Sequence, residues 1–62
     1  MDAVARDREV AEAYEKQRES LRKSAEGGRM TRERADEMIA FLNLKEDNQR
    51  QAEGLPARRP AA

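Results

Sequence analysis

Glu26-Gly27-Gly28-Arg29-Met30-Thr31-Arg32-Glu33 is the stretch that decides the fold. Two consecutive glycines end whatever helix precedes them, because glycine adopts the left-handed conformation after a helix C-cap without steric cost. Three residues later Thr31 can open a new helix by accepting a hydrogen bond from a first-turn backbone N–H. Glu33 falls in that first turn, where the helix dipole favours an acid, but one residue too early for a capping box with Thr31. Met30 and Ala35 bracket the cap at the spacing of a hydrophobic staple. A connection this short joins antiparallel neighbours, so the expected fold is all-α, a two-helix antiparallel hairpin.

Upstream of the glycines, residues 3–26 contain neither glycine nor proline and are rich in Ala, Glu, Arg, Lys and Gln, all good helix formers. Glu12–Lys16, Glu19–Lys23 and Asp2–Arg6 have the favourable acid-first order of an i,i+4 pair. The apolar stripe is thin: Val10, Ala13, Tyr14, Leu21 and Ala25, with Gln17 in its middle. A seam this narrow resembles a coiled-coil contact more than the face of a globular core helix. Tyr14 is expected on that seam with its hydroxyl in water.

Downstream, a second helix is expected over residues 32–52. At 100° per residue, Ala35, Met38, Ile39, Phe41 and Leu42 fall on one arc of about 160°, and Leu44 extends it. That arc is wider than the first helix's seam can cover. The excess marks Ala35, Met38, Ile39, Phe41, Leu42 and Leu44 as candidate protein-binding residues, with Leu42→Asp as the natural disrupting change. Beyond Leu44 the chain turns polar, Lys45-Glu46-Asp47-Asn48-Gln49-Arg50-Gln51, and fraying is expected despite a Glu46–Arg50 pair. The hairpin domain thus spans 1–53. Residues 54–62, with one glycine and two prolines, are expected to form a flexible tail.

Only eight of the 62 residues are Val, Ile, Leu or Phe, while 42% are charged. That aliphatic share lies below the roughly 20% under which chains tend to be disordered. Thirteen basic and thirteen acidic residues cancel, which removes the high net charge that usually accompanies disorder. One domain of this size is marginal by itself. With no cysteine, neither a disulfide nor a thiolate metal site can brace it, which leaves self-association or a partner. The expectation is a hairpin completed as a bundle by a homodimer or a protein partner, and unable to stand alone. The lack of cysteine suits a reducing, cytoplasmic setting. No apolar run approaches a membrane span, and the N-terminal residues lack a signal peptide's apolar stretch.

Catalytic chemistry has little to work with. There is no histidine, the commonest general base. Carboxylate pairs such as Glu15–Glu19 and Glu33–Glu37 read as solvated helix faces, and Ser20 and Ser24 have no partner base. No enzyme, metal, cofactor or small-molecule substrate is expected. Gly27-Gly28 ahead of a helix start lacks the spacing and the lysine of a phosphate-binding loop. Arg29, Arg32 and Arg34 cluster at the turn as candidate nucleic-acid contacts, although Glu33, Asp36 and Glu37 among them would repel phosphate.

The layout resembles the helical hairpins of plasmid copy-number RNA-binding proteins and of small sporulation aspartyl-phosphatases. The second helix lacks the Ser-Gln-Glu-Leu-Asp motif of the latter, having Arg34-Ala35-Asp36-Glu37-Met38-Ile39 in its place. Glu26-Gly27 and Glu53-Gly54 lack the Ser/Thr four residues earlier that marks antitoxins of Fic enzymes, with Arg22 and Gln49 there instead. The resemblance therefore implies a fold and carries no function. The expected function is a small non-enzymatic, bacterial, antitoxin- or inhibitor-like regulator that binds protein through its second helix. The alternative is a homodimer that contacts nucleic acid through Arg29, Arg32 and Arg34.

Overall fold

A computed structural model describes residues 2–58. Positions 59–62 of the expected tail, and Met1, lie outside the described residues. The chain forms two α-helices, α1 (Ala3–Glu26) and α2 (Arg32–Glu53), and no strand among the described residues.

Each helix begins on a side-chain cap. The Asp2 carboxylate accepts from the Val4 N–H at 3.0 Å, and the Thr31 hydroxyl accepts from the Arg34 N–H at 3.1 Å. The spacing of Asp2 and Arg6 suits an ion pair, but the structural work of Asp2 is to cap α1.

Each helix also ends in the same way. Gly28 and Gly54 adopt left-handed conformations, φ 76° and 71°. Beyond them, Arg29 N–H donates to Ser24 C=O at 2.9 Å and Leu55 N–H to Arg50 C=O at 2.8 Å. Companion bonds run from Gly28 to Ala25 and from Gly54 to Gln51, both 3.2 Å. These are paired Schellman bonds, which satisfy carbonyls that the last helical turn leaves free. At the second of them, Leu55 folds back against the buried cluster. The first two residues of the expected tail are therefore part of the helix terminus.

The helices pack side by side and antiparallel. Arg18 on α1 reaches Asn43 and Glu46, Tyr14 reaches Gln49, and Arg6 reaches Glu53, so contacts climb α1 as they descend α2. The body measures 41 × 24 × 15 Å, a single layer of two helices.

The seam differs from the expected one. Val10, Tyr14, Ala35 and Leu42 are its buried apolar residues, with Leu21 partly buried beside them. Gln17 and Ala13 are exposed, and the next inward residue after Tyr14 is Arg18. Inward positions step 10, 14, 18, 21 on α1 and 35, 39, 42, 46, 50 on α2. This order of threes and fours tracks a nearly straight helix more closely than a strict seven-residue repeat does. Following it rotates charged residues into the interface.

Candidate protein-docking surface

Those charged residues form one connected set. Glu46 is 0% exposed, Arg50 1% and Arg18 6%. The Glu46 carboxylate accepts from Arg18 Nη1 at 2.8 Å with one oxygen and from Arg50 Nε at 3.0 Å with the other. Arg50 also pairs with the Asp7 carboxylate and donates to the Pro56 carbonyl at 3.2 Å. Arg18 continues outward to Asn43 at 3.0 Å and Glu15 at 3.1 Å. Nearby, Arg6 grips both oxygens of Glu53 at 2.6 and 2.9 Å. The Tyr14 hydroxyl, expected in water, donates to Gln49 Oε1 at 3.0 Å. Among the described residues, no buried side-chain polar atom lacks a partner.

Burial alone would raise the Glu46 carboxyl, but hydrogen bonds from Arg18 and Arg50 outweigh it and hold it below the ordinary carboxylate range. The Glu53 carboxyl is drawn down to about 2, chiefly by Arg6 and then by Gln49. Arg22 and then Arg18 hold Glu15 low as well. These carboxylates stay ionised and locked to guanidinium groups. A carboxylate held in its ionised form by guanidinium hydrogen bonds makes a poor general acid or base near neutral pH. No group of three or more His, Cys, Asp or Glu among the described residues could hold a metal ion. The network works as structure.

The candidate docking residues divide between two locations. Ala35 and Leu42 are buried against α1, and Ile39 is half-buried on the opposite flank of the seam from Met38. Leu42→Asp would therefore break the hairpin itself and tests nothing about docking. Met38, Phe41 and Leu44 remain exposed at 36%, 61% and 57%. They follow one another at three-residue steps and wind as a ridge over the outer side of α2. Inside the ridge lies an open groove of 640 Å³, walled by Gln17, Ser20 and Leu21 of α1 and by Arg34, Met38 and Phe41 of α2. The Lys45 ammonium sits 5.8 Å from the centre of the Phe41 ring. That is within the range of a cation–π contact.

The three turn arginines do not converge. Arg34 lies on the groove and pairs with Glu37 at 3.2 Å. Arg32 faces a separate depression on the other side, beside Arg22, Glu26 and Asp36. Arg29 lies near Lys16 and Lys23 of α1, a grouping that linear spacing did not reveal, with Glu19 among them.

Two features escaped the sequence reading. The ion network was visible only as a lone Glu46–Arg50 pair; its signal was the four-residue step from Leu42 through Glu46 to Arg50. The ridge was visible only as part of a broader arc, because which half of that arc α1 would cover depends on the packing of α1. No helix among the described residues is long and apolar enough to cross a membrane. Compared with known proteins, the chain matches no family model, no curated protein and no solved structure.

Proposed function

We propose that this chain is a small non-enzymatic regulator, antitoxin- or inhibitor-like, that binds protein through the ridge Met38, Phe41 and Leu44. One observation carries the reading. The chain has a single phenylalanine and, among the described residues, buries only four hydrophobic ones, yet Phe41 stays 61% exposed between two other exposed apolar residues. A chain so short of apolar surface gains most by burying its largest hydrophobe in its own core. Leaving it outside on a rigid helix is the pattern of a helix that lies in a partner's groove. Aromatic side chains also dominate the energetics of such contacts.

The reading of Arg29, Arg32 and Arg34 as nucleic-acid contacts has less support. Their side chains face three different depressions, and acids stand beside each of them. A cytoplasmic setting fits the absence of cysteine.

The test is site-specific photocrosslinking in cells. Phe41→p-benzoylphenylalanine should give a discrete covalent adduct, and the same substitution at Glu12, on the exposed outer face of α1, should give none. Equal labelling at both positions, or none at either, defeats the proposal.

A further inference from the structure

We infer that the ridge is covered by a second copy of this chain, α2 against α2, antiparallel about a two-fold axis that passes at Phe41. This rests on the docking reading above and adds the partner and the register.

The argument begins with the placement of the ridge on its helix. Met38 and Leu44 lie three residues before and after Phe41 and, at 100° per residue, about 60° to either side of it. Phe41 is thus the centre of the exposed apolar surface both along α2 and around it. Turning a second α2 end for end over that point makes the two ridges cross at Phe41, each laying its flanking residues beside the other helix. Phe41 meets Phe41, and Met38 comes level with Leu44 of the second copy, twice. A two-fold interface needs this self-complementarity, since one patch must serve both sides.

The charges obey the same symmetry with opposite sign. Glu37 and Lys45 lie four residues before and after Phe41 and about 40° to either side. The two-fold axis therefore sets Glu37 level with Lys45 of the second copy, again twice. Lys45 forms no ion pair among the described residues; its ammonium rests over the Phe41 ring. Among the described residues Glu37 pairs only with Arg34, in an exposed i,i+3 contact of the kind that contributes little. In the dimer Glu37 stands between Arg34 of its own helix and Lys45 of the other. Zero net charge lets two copies approach without overall repulsion. A single layer of helices 15 Å thick lacks the second layer that domains normally have.

One helix face buries less than the roughly 1,200 Å² of a standard interface, so dissociation is expected on the order of 100 μM.

Sedimentation equilibrium of the full chain, from about 5 μM to 1 mM around that midpoint, tests the inference. The apparent mass should rise from 7.1 kDa toward twice that value. Phe41→Asp should remain at the single-chain mass with its helical circular dichroism unchanged. Glu37→Lys alone and Lys45→Glu alone should each weaken the dimer roughly tenfold, and the double reversal should restore it to within about threefold of the starting affinity. A double reversal no tighter than either single change overturns the register. A wild-type chain that stays at 7.1 kDa throughout overturns the self-pairing. In that second case, a crosslink from position 41 to a different protein would leave the docking reading standing, and the absence of any crosslink would remove both.

Discussion

The hairpin has two ends built on different physics. Toward the turn, the seam is aliphatic: Ala35 and Leu42 are buried along it and Leu21 and Ile39 half-buried, with Leu42 continuing into the Val10–Tyr14 cluster. Toward the open end, Val10 and Tyr14 share the seam with Arg18, Glu46, Arg50 and Asp7, and Arg6 clasps Glu53 across the rim. The turn end is held covalently by a short connection, so non-directional apolar contact is enough to keep it closed. The open end has no such tether. Two helices meeting there could slide or rotate at little cost if only a few methyl groups touched. Forked guanidinium–carboxylate bonds have a fixed geometry and so define register and rotation together. Burying them is costly, and for that reason every charge in the set must keep its partner.

This contrast can be broken most severely at Glu46. Glu46→Ala leaves Arg18 and Arg50 buried without their shared carboxylate. In a body only 15 Å thick, partial rehydration puts the expected loss at the low end for a broken buried pair, about 3 kcal/mol. For so small a domain that is most of its stability, and urea titration followed by circular dichroism should show it. At the other end, Leu42→Ala removes apolar contact without stranding a charge and should cost about 2 kcal/mol in the same titration. If Leu42→Ala proves the more damaging of the two, the network is a surface decoration and the contrast fails.

The joint change Arg18→Met, Glu46→Leu, Arg50→Met sharpens the point. Replacing a whole buried ion set with apolar residues is commonly neutral or stabilising, here by about 1 kcal/mol. The expected cost is definition: amide resonances of α1 residues near Val10 should broaden or double, while those near Leu21 stay sharp. Sharp resonances at both ends would show that the ions contribute no register.

Acid should separate the two ends as well. Glu46 and Glu53 have lower carboxyl pKa values in the folded chain than their ordinary 4.5. A depressed folded value means that their contribution is fully present above that pH and lost as pH falls, for Glu53 on the way to about 2. Between roughly pH 4.5 and 2, amide protection relative to an unstructured amide at the same pH should therefore fall at the open end before the turn. The smallest effect belongs outside both seams. Phe41→Ser should change the stability of the single hairpin by no more than about 0.5 kcal/mol, because Phe41 contributes little to holding α1 against α2.

Much of the framework was legible from linear spacing. The glycine pair, the Thr31 cap and the long runs without glycine or proline are local signals. They gave both helices to within a residue, because capping and helix propensity depend on near neighbours. The seam was legible only in part. Val10, Tyr14, Leu21, Ala35 and Leu42 announce themselves by being apolar. Arg18, Glu46 and Arg50 do not, since a charged residue is buried only when another element supplies its counter-charge. The same blindness enlarged the candidate docking surface to include Ala35 and Leu42 and misjudged the end of α2. Fraying is the default for Asn48-Gln49-Arg50-Gln51, and it is prevented by a guanidinium that reaches Asp7, 43 positions away.

By itself, then, the order of residues determined where the helices start and stop, that they double back on each other, and that apolar side chains would be scarce. Only the packing of α1 on α2 decided which charges go inside and which apolar side chains stay out. The reason is that helix boundaries are set by neighbours a few residues apart, whereas the value of burying an arginine or exposing a phenylalanine depends on what faces it across the seam.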